Sequence, residues 1–178
     1  MPQMIALDEK WQGYFEDVIR EDGDPTKISQ VEKVRIFKFD KSAQKLLVSN
    51  AHSGNDTRVA VQVEMMHTHR SKVGLIHSHP VEVGFSHQDI SLLLSKDRHY
   101  FFVALATPGS YYLAFRTQNI PKLTEIESKI FLSGEFSKLR KFPLGRGTAA
   151  EMTPDRMKEF GIVLYTCRRS EYQLRRVN

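Results

Sequence analysis

His77-Ser78-His79-Pro80 is followed closely by Ser86-His87-Gln88-Asp89, which brings two imidazoles, a hydroxyl and a carboxylate within thirteen residues. A zinc ion that activates water uses about this donor set. Three side chains supply nitrogen or oxygen, and a fourth tetrahedral position stays open to solvent. Taken singly, each piece has a plainer reading. Ser-x-x-Asp is close to a helix capping box, which needs no metal, and His-x-His occurs on exposed edge strands. In this order, behind an apolar run, the two together point to metal chemistry.

The flanking residues say how the donors are positioned. Val73-Gly74-Leu75-Ile76 is apolar and too short for a helix of its own, so a buried strand is expected over 73–79. Residues two apart on a strand share a face, which sets His77 beside His79. Pro80 has no N–H for a ladder and should end the strand. Ser86 is placed as the N-cap of a helix over about 87–96, with Asp89 at N3 and Ile90, Leu92, Leu93 and Leu94 forming its apolar side. A strand end and a helix start then meet around one point.

These residues resemble the JAMM (MPN+) metallopeptidase family, whose pattern is an upstream Glu, then His-x-His-Pro, a loop, and Ser-x-x-Asp. His77, His79, Ser86 and Asp89 match in order. The loop Pro80–Phe85 has six residues where seven are usual, and it resembles the short-loop bacterial and phage members, in which an aromatic residue precedes the Ser, as Phe85 does here. The resemblance implies that His77, His79 and Asp89 hold Zn2+, that Ser86 hydrogen-bonds the oxyanion or the zinc water, and that a Glu is the general base. Chemistry explains the last requirement, because a carboxylate must take the water's proton and pass it to the leaving amine.

Four glutamates are candidates. Glu32, 45 residues before His77, opens an apolar-rich run over 31–39 that reads as the first sheet strand, where it would share a face with Val34 and Ile36. A carboxylate on such a face is costly without a task or partner. Glu64 ends the alternation Val59, Val61, Val63 and lies on the other face of its strand. Glu16 and Glu21 belong to an N-terminal helix that could pack nearby. Glu32 leads, with the other three as rivals. A second His-x-His, at His67 and His69, precedes Arg70 and Lys72 and has no Ser-x-x-Asp behind it, so it reads as a loop or strand end near the cleft rim. His87 is not counted as a ligand, and His52 and His99 carry no motif.

The chain has 178 residues, 40% of them hydrophobic and 26% charged, which fits one globular core. No apolar run approaches the length of a membrane span, and Met-Pro-Gln-Met followed by an acidic, aromatic segment is not expected to be a signal peptide. The single cysteine, Cys167, excludes an internal disulfide framework and fits a reducing cytoplasm. The net charge is +5 and the pI about 9.3. Much of the excess lies late in the chain, at Lys138, Arg140, Lys141, Arg146, Arg168, Arg169, Arg175 and Arg176. A solvated basic face is favoured over nucleic-acid binding, since no zinc-finger, helix-turn-helix or RNP-type pattern accompanies the charge.

The expected fold is α/β in the mixed α+β sense. It is a JAMM/cytidine-deaminase-like mixed sheet flanked by helices, in a single domain over 1–178 with a core over about 28–117. An amphipathic helix spans 8–21, with Trp11, Tyr14, Phe15 and Val18 on one side, and Asp22-Gly23-Asp24-Pro25 breaks it. Strands are expected over 31–39, 44–49, 58–65, 73–79, 100–106 and 111–116. An α/β extension over about 118–178 adds a helix over 123–139, a short helix begun by Thr153 and Pro154, and a closing hairpin of 162–165 with 172–177. Function is expected to be zinc-dependent hydrolysis of a peptide or isopeptide bond, with a protein substrate such as a ubiquitin-like protein. The alternatives are a non-enzymatic MPN-type scaffold and, third, a metal-dependent nuclease.

Overall fold

The computed structural model describes residues 1–40, 45–54, 72–94, 100–117 and 154–178. The strand expected over 58–65 with Glu64, the His67/His69 pair, His99, the helix over 123–139, Thr153 and the cations Lys138 to Arg146 lie outside the described residues. The fold is mixed α/β, with a large, mostly antiparallel sheet and a few helices.

In chain order the elements are β1 (Met4–Ala6), α1 (Glu9–Ile19), β2 (Arg20–Glu21), β3 (Asp24–Ile28), β4 (Lys33–Asp40), β5 (Lys45–Val48), β6 (His52–Ser53), β7 (Lys72–Ser78), α2 (His87–Leu94), β8 (Tyr100–Ala106), β9 (Ser110–Arg116), α3 (Pro154–Glu159), β10 (Ile162–Arg168) and β11 (Gln173–Arg176). The main sheet runs β1-β11-β10-β9-β8-β7-β4-β5, with β6 also on β4. Among the described pairs only β7 and β8 are parallel. A parallel pair needs a crossover, and α2 lies in it. The carboxyl ends of β7 and β8 therefore sit side by side where α2 begins.

Alternation along the strands builds two cores. On one face Val34, Ile36, Val73, Leu75, Val103 and Leu105 pack against Ile90, Leu93 and Leu94 of α2 and Met157 of α3. On the other, Phe37, Ile76, Phe102, Tyr111 and Tyr165 pack against Phe15, Val18 and Ile19 of α1. Gly74 has a steric reason: the Phe102 ring fills the space a Cβ would take.

Several expectations shift at their edges. α1 begins with Asp8 as N-cap, whose carboxylate accepts from Trp11 N at 2.9 Å, and ends at Ile19, short of residue 21. The expected break at Asp22–Pro25 is the turn of the small hairpin β2–β3, made possible by the positive φ of +82° at Gly23. Pro25 is tolerated in β3 because that two-stranded sheet leaves an outer edge free of ladder bonds. β4 starts at Lys33, so Glu32 stands just before the strand rather than within it. Its carbonyl accepts from Gly54 N at 2.8 Å.

The closing hairpin is longer than expected in its first strand and is no appendage. β10 pairs with β9 from Ile162↔Arg116 to Arg168↔Ser110, and β11 carries β1 at its far side. Residues 154–178 thus complete the sheet of the core. Cys167 is buried within it, and burial pushes its thiol up to about 11.

Glu16 joins α1 to this half of the sheet. Its carboxylate accepts from Arg169 Nε at 2.6 Å, from Arg169 Nη2, from the Tyr111 hydroxyl and from Arg20 Nε at 2.8 Å. Burial alone would raise its pKa, but the Arg169 and Tyr111 bonds outweigh it and hold the carboxyl at about 2, against an ordinary 4.5. Because the folded pKa is depressed, this stabilisation is present above about pH 4.5 and is lost as pH falls toward 2. Urea midpoints measured from pH 6 to pH 2.5 should fall more steeply for the wild type than for Glu16→Gln; equal slopes would contradict the assignment.

Candidate metal centre

His77, His79 and Asp89 converge at the carboxyl end of β7. Their ligand atoms all lie within 4.8 Å of one another. A tetrahedral zinc with bonds of about 2.0–2.1 Å requires ligand atoms roughly 3.3 Å apart, so the trio needs only small closure to take one.

His77 is the last-but-one residue of β7 and is flanked by Val34 of β4 and Leu105 of β8. Its ring rises from the α2 side of the sheet, where Phe85 packs against it at 6.4 Å between ring centroids. His79 follows the strand end, and its N–H donates to Ala106 O at 2.9 Å. This backbone bond keeps the chain in line with β8 although the β4–β7 ladder has ended. The two imidazole rings lie 5.1 Å apart at 74°. His79 Nδ1 is 3.4 Å from Val83 O. A carbonyl there favours the proton on Nδ1 and leaves Nε2 with the lone pair a metal needs.

Asp89 is fixed from behind. Ser86 N and Ser86 Oγ donate to its Oδ2 at 2.7 and 2.6 Å, and Asp89 N donates back to Ser86 Oγ at 3.3 Å. The reciprocal cap turns the other oxygen, Oδ1, toward His77 Nε2 at 3.0 Å, while Oδ2 lies 3.8 Å from His79 Nε2. Ser86 is thus already engaged. Its hydroxyl proton goes to Asp89, not toward the open side of the site where an oxyanion would lie.

Glu32 is the fourth member. Its Oε1 is 3.8 Å from His79 Nε2, next to the trio but outside it. At 18% side-chain exposure Glu32 is more open than His77, His79 or Asp89. Burial raises its pKa above the ordinary value, His77 opposes that, and Asp89 adds to it. Burial also favours a neutral Asp89 and a neutral His77, but each is overcome by the other. The His77 charge and contact hold the Asp89 carboxyl far below its usual range, and Asp89 draws His77 upward.

The rival glutamates sit elsewhere. Glu16 lies on the α1 face of the sheet, held by Arg169, and Glu21 is exposed in the β2–β3 hairpin. Glu64 lies outside the described residues. His52 is exposed in β6.

One observation bears on metal binding apart from the spacing. Both ring nitrogens of His77 are inaccessible to solvent, and Nε2 has Asp89 Oδ1 beside it at 3.0 Å without an aligned hydrogen bond. Buried polar atoms are rarely left so. A cation between His77, His79 and Asp89 would give His77 Nε2 a partner and balance the Asp89 and Glu32 carboxylates.

Residue type and spacing did not reveal the support around the trio, namely the Val83 carbonyl, the Gly54 amide and the Ser78 hydroxyl. Only Ser78 left a trace, as the small polar residue between the two histidines of a buried strand. No protein-family model, curated protein or solved structure matches this chain. None of the described helices is long and apolar enough to cross a membrane.

Proposed function

We propose that this protein is a zinc-dependent peptidase or isopeptidase of the JAMM (MPN+) class, acting in the cytoplasm. The observation that carries the reading is the convergence of His77, His79 and Asp89 within 4.8 Å, with a half-buried carboxylate, Glu32, 3.8 Å from His79 at their side. His77 Nε2, His79 Nε2 and Asp89 Oδ1 would hold the metal. Bound zinc would supply Lewis acidity, lowering the pKa of a water and polarising a carbonyl. Glu32, 3.8 Å from His79, would accept a proton from the attacking water and return it to the leaving amine. Burial raises its pKa above the ordinary value, the direction that makes a carboxylate a stronger base. Ser86 serves first by fixing Asp89, and oxyanion contact would require its hydroxyl to turn away from Oδ2.

The substrate class proposed is a protein with an extended tail, such as the C-terminal segment of a ubiquitin-like protein joined to a lysine amine. Such a tail can add to a cleft edge as a strand. The non-enzymatic scaffold reading gains weight when no upstream glutamate reaches the site, and the position of Glu32 supports the enzyme instead. Only the histidines together with the positive charge favour a nuclease.

Metal analysis of the purified protein should find one zinc per chain, and a panel of ubiquitin-like fusions and peptide-linked reporters should contain a substrate cleaved only in the zinc-loaded state. His77→Ala should lose both the zinc and the cleavage. Cleavage that survives chelation, or that survives His77→Ala, would reject the mechanism.

A further inference from the structure

We infer that Ser78 is a positioning residue: its buried hydroxyl closes the β4–β7 ladder in place of a backbone carbonyl and thereby sets the Glu32 carboxylate beside the metal site. The inference rests on reading Glu32 as the base of that site.

The last β4–β7 pair is Val34↔His77. One step further, Lys33 N donates to Ser78 Oγ at 2.9 Å, a bond between buried groups. Ser78 is 1% exposed. A side chain reaching for that N–H lets the two backbones part at this point. The parting matters, because Glu32 faces His79 across it, with Oε1 3.8 Å from His79 Nε2, while His79 N continues the ladder on the other side of its strand to Ala106 O. Without the hydroxyl, the Lys33 N–H would be a buried donor lacking a partner.

Three other bonds hold the same segment. Gly54 N donates to Glu32 O at 2.8 Å. On the α1 face the Lys33 side chain is 2% exposed, and its Nζ donates to Arg20 O at 2.7 Å and Asp22 Oδ1 at 2.5 Å. These fix the segment to β6 and to the end of α1. The Ser78 bond ties it, just beyond the Val34↔His77 pair, to the strand that bears the histidines, so Ser78 helps to set the spacing between base and ligands.

The test uses the full chain loaded with zinc and compares Ser78→Ala, Ser78→Thr and Thr166→Val. Thr166 is a control on β10 whose hydroxyl donates to Tyr111 O at 3.1 Å, away from the site. In Ser78→Ala the Lys33 amide should lose protection from hydrogen exchange. kcat should fall about 10- to 100-fold, with KM and zinc affinity unchanged, as expected for a misplaced base. Ser78→Thr, which keeps the hydroxyl, should restore kcat, and Thr166→Val should not alter it. Loss of Lys33 protection with kcat intact would overturn the inference. If the wild type cleaves nothing, the functional reading fails, but the inference can still be judged by a crystal structure of zinc-loaded Ser78→Ala. A Glu32 carboxylate displaced from His79 supports it, and an unmoved one overturns it. Should Ser78→Ala not fold, Ser78→Cys, with its weak sulfur acceptor, carries the same comparisons.

Discussion

Replacing Glu32 by Gln should reduce kcat by about 10²- to 10⁴-fold, the span over which positioned acid–base groups contribute, and leave the zinc content unchanged. The two halves of this result have different causes. Gln keeps the shape and the hydrogen-bonding reach of Glu but cannot take up a proton at neutral pH. Zinc is retained because Glu32 lies beside the ligand trio, with Oε1 3.8 Å from His79 Nε2. Turnover and bound metal are therefore read on the same sample, by progress curves and by elemental analysis. Glu16→Gln is the internal comparison, since that carboxylate sits on the opposite face of the sheet and bonds Arg169. It should lower stability and spare kcat. Glu64→Gln completes the set. Loss of activity there, with Glu32→Gln fully active, would transfer the role of base to Glu64. A non-enzymatic scaffold would show no turnover in any of these proteins.

The parts of the site that were legible in the chain are those encoded by short-range pattern. An apolar run closed by His-x-His-Pro must be a strand end, and Ser-x-x-Asp before an apolar helical stripe must be a helix start. Both stand where residue type and spacing put them, at Lys72–Ser78 and His87–Leu94. The β8–β9 pair was equally plain, because aromatic and β-branched residues flank Pro108-Gly109. What the chain could not reveal were choices made between distant segments. Glu32 led four candidate glutamates on local grounds, but it is the pairing of β4 with β7 that brings it to His79, while the sheet itself stands between Glu16 and the site. The hydroxyl of Ser78 looks idle until a backbone amide 45 residues away is seen to donate to it. The hairpin Ile162–Arg176 was foreseen as a pair, but nothing local said that it would lie against β9 and be edged in turn by the three residues of β1. Asp22-Gly23 does more than its local pattern says. It was read as a helix stop, yet it also turns the chain back on itself through Gly23.

Asp89→Ala should lower zinc affinity by at least about 10²-fold, because loss of supporting partners alone costs metal sites 10- to 100-fold and this change removes a ligand. It should also weaken the start of α2, where the carboxylate accepts from Ser86 N, at a cost of roughly 0.5–2 kcal/mol. The sharper experiment is Ser86→Ala, because the two roles open to Ser86 predict opposite patterns. The geometry has Ser86 Oγ donating to Asp89 Oδ2 at 2.6 Å, which orients Oδ1 toward His77. If that is its main task, Ser86→Ala should weaken zinc binding about 10- to 100-fold, and saturating zinc should restore most of the activity. The oxyanion role implied by the JAMM resemblance requires the reverse: zinc affinity unchanged and kcat reduced by about 10²- to 10³-fold at any zinc concentration. Titrating zinc into the apo-protein while following cleavage separates the two. The reciprocal cap favours the first outcome, since the hydroxyl spends its one proton on Asp89 and an oxyanion would have to compete with a buried carboxylate for it.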